Sequence, residues 1–229
     1  KLVNDPDVIA IAGHNFSAAA LTAAPIYQRE GLPMVGITAS NPKIPEVGDY
    51  IFTIGLNDNQ ISQKMADYAV LEREWKKIAI LRENSDYGLA TESAFTDQAV
   101  KDGAEITTVE TYLQGTDRDF SVQLTKIRET NPDCILLIGF GTEHGLIVKQ
   151  AQQLEIDTQL YGVDGTNSDV FFELAGDAAE GIIIATLFDR GVEEAKPFVE
   201  KYEATYKESI FSTCPYAYDA LNVILNALT

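Results

Sequence analysis

Two runs of four apolar residues, Ile78-Ala79-Ile80-Leu81 and Ile135-Leu136-Leu137-Ile138, constrain this chain more than any other feature. Side chains along a strand alternate between the two faces of a sheet, so an unbroken apolar run fits a strand covered on both sides. Such strands belong to parallel sheets sandwiched between helices. Strand-like runs recur over 7–12, 33–37, 50–54, 77–81, 105–111, 134–139, 159–163 and 181–187. Amphipathic stretches of helical length separate them over 17–30, 60–74, 87–102, 120–130, 143–154 and 169–175. Two more, 193–208 and 216–228, follow the last strand. Strand and helix in alternation predict an α/β fold, doubly wound. Ser17, Asp119 and Ser168 stand where N-caps belong, and Gly31 and Gly103 where helices stop.

Two polar, glycine-containing joints break the rhythm: Gly55-Leu56-Asn57-Asp58-Asn59 and Phe188-Asp189-Arg190-Gly191. A chain that crosses between lobes at both would place residues 59–188, with five strands, in lobe 2. Residues 1–58 plus 189–229 then form lobe 1. Three strands and two late helices make a thin sheet for a doubly wound domain. Leu2-Val3-Asn4-Asp5-Pro6-Asp7 also reads as the end of a helix running into a strand. An incomplete first lobe, with units missing upstream, is the expectation.

The chain carries 35 Asp and Glu against 17 Lys and Arg, a formal charge of −18. It lacks the clustered cations that phosphate backbones and anionic bilayers attract, so no nucleic acid and no membrane surface is expected as a partner. With 45% hydrophobic residues it can bury a core and is not a disordered acidic chain. Cys134 and Cys214 lie far apart and outside any CxxC pattern, which leaves the redox compartment open. The longest apolar run, 182–187, falls far short of the roughly 20 residues of a membrane span.

Catalytic chemistry finds little footing. Gly139-Phe140-Gly141-Thr142-Glu143-His144-Gly145 follows a strand, opens a helix and has Asp164 further on, close to a dinucleotide fingerprint. His144 takes the place of the third glycine, however, and Gly145 comes one residue late. The plainer reading is a set of glycines that permit a tight turn. His14 and His144, the two histidines, have no neighbours at metal-ligand spacing and read as turn or surface residues. No nucleophile elbow or P-loop pattern occurs. The chain is therefore expected not to be an enzyme, with no catalytic residue, no metal and no cofactor.

What recurs instead is small polar residues after the strands, at the carboxyl ends where open α/β sheets bind ligands. Gly13-His14-Asn15-Phe16-Ser17 and Thr38-Ala39-Ser40-Asn41-Pro42 offer hydroxyls and a helix N-terminus, which suit a carboxylate. Glu83-Asn84-Ser85-Asp86-Tyr87-Gly88, Gly139-Phe140-Gly141-Thr142 and Asp164-Gly165-Thr166-Asn167 offer an acid with aromatics, which suit an ammonium group on an apolar body.

At these residues the sequence resembles the periplasmic branched-chain amino-acid-binding proteins, the type I solute-binding family of ABC importers. The matching stretches include Val8-Ile9-Ala10-Ile11-Ala12-Gly13-His14 with Ser17, and Gly31 through Ser40. Asp86-Tyr87-Gly88, Asp119-Phe120-Ser121, Asp133 to Gly139 with Gln150-Ala151, and Tyr161-Gly162-Val163-Asp164-Gly165 continue them. Ala179-Glu180-Gly181 and Tyr218-Asp219-Ala220-Leu221 complete the series, in family order across nearly the whole chain.

The resemblance implies two Rossmann-like lobes joined by a hinge, the type I periplasmic binding protein fold, closing on a ligand without chemistry. By position it implies that Ser17, Thr38 and Ser40 hold the ligand α-carboxylate and that Asp164 meets the α-ammonium. It implies that Tyr87, Phe140 and Tyr218 wall the side-chain pocket. It further implies a monomer outside the cytoplasm, periplasmic or extracellular, that delivers an amino acid to the membrane permease of an ABC importer. Asp164 stands where amino-acid-specific members commonly have Glu, Phe140 where Tyr is frequent, and Phe16 where some have a disulfide cysteine. Family members also begin with a further segment and continue past Thr229, which makes this chain a fragment by comparison. Alternatives are a sensor domain of a receptor, a binder of an amide, urea or carboxylate, and a nucleotide-dependent enzyme using Gly139–Gly145.

Overall fold

The computed structural model describes all residues, 1–229. In chain order it contains β1 (Ile11–Ala12), α1 (Ser17–Glu30), β2 (Met34–Gly36) and β3 (Ile51–Thr53). Then come α2 (Asp58–Asp67), β4 (Lys77–Glu83), α3 (Asp86–Lys101), β5 (Glu105–Tyr112) and α4 (Ser121–Glu129). β6 (Cys134–Ile138), α5 (Gly141–Gln153), β7 (Gln159–Gly162), α6 (Asp169–Ala175) and β8 (Ile183–Ile184) follow. The chain finishes with α7 (Lys196–Tyr206) and α8 (Thr213–Ala227). It forms two compact units, Lys1–Asn57 with Thr186–Thr229, and Asp58–Ala185. The doubly wound α/β arrangement expected from the apolar runs is present.

The Asp58–Ala185 unit holds a five-stranded parallel sheet in the order β5-β4-β6-β7-β8. All of β6 is buried, and so is β4 from Ile78 to Leu81. Their side chains divide with the period-2 alternation of a strand. Ile78 and Ile80 join Cys134, Leu136 and Ile138 in one core, under Met65 of α2, Ala69 just beyond it and Phe95 of α3. Ala79 and Leu81 join Ile135 and Leu137 in a second, under Leu124, Ile147 and Phe171 of α4, α5 and α6. Each apolar run thus feeds two cores at once, and a polar side chain at any of these positions would be buried.

The other unit holds β1-β2-β3, also parallel. Its single core gathers Ile11, Ala20, Ala24, Tyr27, Met34, Ile44 and Ile51. Gly31 ends α1 in the left-handed conformation, φ 67°, as its position in the sequence predicts.

Several expectations need correction. The strand over 7–12 shrinks to Ile11–Ala12, because its partner β2 is only three residues long and Ile9 points out at 60% exposure. The strand over 181–187 shrinks to Ile183–Ile184. Gly181 turns away at φ 82°, and the Thr186 hydroxyl bonds locally to Phe188 instead of extending the ladder. The helix over 60–74 begins at Asp58 and, after Asp67, widens into a π-turn over Tyr68–Glu72. Ser168 does cap α6, accepting from the Phe171 N–H at 3.3 Å. Ser17 and Asp119 do not cap. Ser17 is already the first residue of α1, with Phe16 at the N-cap, and Asp119 accepts from the N–H and hydroxyl of Ser121.

Candidate functional site

In the Lys1–Asn57/Thr186–Thr229 unit, the loops after β1 and β2 are bonded to each other. The Ile37 and Ala39 N–H groups both donate to the His14 carbonyl, at 3.3 and 3.4 Å. The Thr38 hydroxyl donates to the Asn15 carbonyl at 3.5 Å, and the Asn41 N–H donates to Ser17 Oγ at 3.3 Å. These contacts bring Ser17, Thr38 and Ser40 into one cluster at the N-terminus of α1. Ser17 and Ser40 are 4% and 8% exposed. The first turn of α1 contains no acidic residue, and its N–H groups ahead of Ala20 have no partner within the helix. A site rich in donors, at the positive end of a helix dipole, is complementary to a carboxylate. His14, within the first of these loops, stacks on Tyr27 of α1 with ring centroids 6.0 Å apart.

In the Asp58–Ala185 unit the sheet order reverses between β4 and β6, so the chain leaves these adjacent strands in opposite directions. A crevice opens at the carboxyl ends of strands at such a switch point. Tyr87 follows β4 and Phe140 follows β6, and their rings meet at 5.7 Å. Asp164 follows β7, and the next residue, Gly165, abuts both the Gly139 carbonyl and the Phe140 ring. Burial raises the Tyr87 pKa, and the negative charges of Asp58, Glu83 and Asp164 raise it further. Tyr87, Phe140 and Asp164 therefore converge: two aromatic walls with an acid beside them.

The backbone that presents Tyr87 is tightly held. Ser85 caps α3 by accepting from the Gly88 N–H at 3.1 Å, and its own hydroxyl donates to Glu83 at 2.5 Å. Glu83 is 1% exposed, and burial raises its pKa. Asp58, 2% exposed, accepts from the Thr91 hydroxyl at 3.4 Å. The sequence marked neither acid as buried. Their only signal was position, one at the very end of a strand and one at the start of a helix.

Tyr218 packs against a neighbouring helix. It lies on α8, half exposed, with its ring 5.1 Å from Phe198 of α7. Two residues earlier, Tyr216 is more buried. Its hydroxyl donates to the Leu187 carbonyl at 3.2 Å, and its ring flanks Gly55.

The glycine-rich Gly139–Gly145 segment is packed shut. A methyl group on Gly141 would collide with Ser168 Oγ, and one on Gly145 would stand 2.7 Å from Leu174 Cβ. These glycines let α5 approach α6, which leaves no room there for a pyrophosphate. His144 is not a turn or surface residue as its sequence context suggested: it is wholly buried, with Nδ1 2.7 Å from Thr166 Oγ1. Burial pushes its pKa down to about 3, so it stays neutral. A groove of about 590 Å³ occupies the opposite end of the same sheet, among Asp133, Ile156, Asp157, Leu160 and Ile182. There Asp133 is committed to the N–H groups of Lys76 and Lys77, at 2.8 and 2.9 Å.

The whole chain, residues 1–229, matches a protein family described as "Periplasmic binding protein". It is 31% identical over 236 aligned positions to the leucine-, isoleucine-, valine-, threonine-, and alanine-binding protein of Pseudomonas aeruginosa, covering 100% of this chain and 61% of that protein. It is 28% identical to the leucine-specific-binding protein of Salmonella typhimurium, again over all of this chain and 62% of the relative. Among solved structures, the leucine-binding protein LivK of Thermotoga maritima superposes with a TM-score of 0.90 at 28% identity. The substrate-binding protein LivJ of Streptococcus pneumoniae, solved with isoleucine, gives 0.90 at 29%. Each superposition covers 99% of this chain and 65% of the other. The chain thus spans a little under two thirds of the relatives it matches.

Proposed function

The chain belongs to the periplasmic binding protein family, and from that membership we propose that it is the ligand-holding part of a solute-binding protein serving an ABC importer. Its ligand is a branched-chain or similar small zwitterionic amino acid, taken up in the periplasm or outside the cell and handed to a membrane permease. One observation carries this reading: the two units carry strand-end clusters of opposite polarity. Ser17, Ser40 and the start of α1, with Thr38 beside them, present donors; Asp164 presents an acceptor beside aromatic walls. A zwitterion needs both. Charge-assisted hydrogen bonds in a site with little water are the strong ones, so the ends of the ligand fix its orientation and Tyr87 and Phe140 receive its body.

In this reading Asp58, Glu83 and Asp164 together make the ammonium end strongly negative, which disfavours a ligand with a carboxylate and no amine. The crossings between units, at Asn57–Asp58 and Ala185–Thr186, act as the hinge. Isothermal titration with L-leucine, L-isoleucine and L-valine tests the proposal: saturable heat is expected with at least one. Loss of Asp164 should cost about 2–5 kcal/mol of binding. Heat from none of these amino acids would refute the amino-acid reading.

A further inference from the structure

We propose that Tyr216 is a positioning residue for ligand binding, one that ties together the two crossings by which the chain passes between its units. The inference rests on the ligand reading above but draws on a different set of contacts. The outgoing crossing follows β3, where the Ile54 N–H donates to the Gly36 carbonyl at 3.3 Å. Gly55 is then held between the Ile37 carbonyl, 3.2 Å from where its Cβ would stand, and the Tyr216 ring at 3.8 Å. The returning crossing runs through Thr186 and Leu187, and the Leu187 carbonyl accepts from the Tyr216 hydroxyl at 3.2 Å. One side chain therefore touches both crossings, 132 residues apart in sequence, by its ring on one side and its hydroxyl on the other.

The base of that side chain is itself anchored. Tyr216 sits in the first turn of α8, whose helix packs on β1 and β2, the strands that carry the Ser17 and Ser40 loops. A displacement of either crossing is thereby transmitted through Tyr216 to the other and to the helix beneath the donor cluster. Ligand affinity in a hinged binder depends on how much of the population is competent to bind. A residue that makes two crossings move as one restricts the hinge to fewer states, without touching the ligand.

The test combines hydrogen exchange of the ligand-free protein with leucine titration, on the wild type, Tyr216→Phe and Tyr216→Ala. Tyr216→Phe keeps the ring and removes the hydroxyl, so exchange should rise by about fivefold in a peptide covering 184–192 and stay unchanged over 52–60, the size expected for one lost hydrogen bond. Tyr216→Ala should raise exchange in both peptides. Leucine affinity should fall by about fivefold for Tyr216→Phe while its melting temperature stays close to that of the wild type. Unchanged exchange over 184–192 in Tyr216→Phe overturns the tie, whatever the fate of Tyr216→Ala. Raised exchange with unaltered leucine affinity overturns the positioning role. A wild type that gives no heat with any branched-chain amino acid refutes the ligand reading instead, and the exchange arms still decide whether the crossings are coupled.

Discussion

The two units solve the same packing problem with unequal means. In Asp58–Ala185 a five-stranded sheet has helices on both faces, two separate cores, and central strands buried along their apolar runs. In the other unit three strands of two or three residues rest on one core. The site elements follow this division. Tyr87 and Phe140 emerge from β4 and β6, which are covered on both faces, so their backbone is set by burial, and Asp164 follows the shorter β7, whose last two residues are buried. Ser17, Thr38 and Ser40 emerge from short ones and are held mainly by hydrogen bonds between loops. Burial fixes one cluster and local polar contacts fix the other.

The largest effect that could break this contrast is on the cores themselves. Phe95 is fully buried beneath β4 and β6, and Phe95→Ala should cost about 3–5 kcal/mol, whereas Phe52→Ala on the open strand β3 should stay within about 0.5 kcal/mol. Urea unfolding checks it, read for Phe95→Ala by the single tryptophan, Trp75, whose ring lies in the core of Asp58–Ala185, and for Phe52→Ala by far-UV circular dichroism. Equal losses for the two variants would erase the distinction. Gly141→Ala, which forces a methyl group against Ser168 and Phe171, should cost about 1–3 kcal/mol by prising α5 from α6. Thermal denaturation of the variant checks it.

A third expectation concerns pH. The folded protein keeps His144 neutral down to about pH 3, while the unfolded chain protonates it near 6.5. Between those values the unfolded state binds more protons, so stability is fully present above 6.5 and falls as pH drops through the window, by at most about 1.4 kcal/mol per pH unit. Glu83 acts in the opposite sense: its raised pKa lets the folded state keep a proton above 4.5, so its contribution falls as pH rises past that value. Urea titrations between pH 4 and 7 should show a flatter slope for His144→Gln than for the wild type, and a steeper one for Glu83→Gln. The smallest effect is at a cap: Ser168→Ala should cost about 1 kcal/mol, visible as a lowered urea midpoint.

How far the sequence could be read follows from the same contrast. The strands β4 and β6 were legible because burial on two faces demands apolar residues at every position. The edge strands were not, since the runs over 7–12 and 181–187 are apolar well beyond the two residues that find a partner. Polar burial was illegible too. Nothing near His144 in the sequence marks Thr166, 22 residues on, as its partner. Tyr216 and Tyr218 were indistinguishable in Cys214-Pro215-Tyr216-Ala217-Tyr218. On a helix they lie about 200° apart, so one turns inward and the other out, and only the packing of α8 decides which. The strand-end clusters were legible as positions, because loops at the carboxyl ends of parallel strands are where such sheets place ligands.

The central claim is that the two clusters hold opposite charges of one ligand. It is tested most directly by titrating the wild type, Ser17→Ala and Asp164→Ala with L-leucine, L-leucinamide, which lacks the carboxylate, and 4-methylpentanoate, which lacks the amine. The wild type should prefer leucine to both analogues. Asp164→Ala should lose its preference over 4-methylpentanoate while still rejecting the amide, and Ser17→Ala should weaken discrimination against the amide alone. If both substitutions weaken all three compounds by the same factor, the clusters do not read opposite ends of a zwitterion, and the account fails.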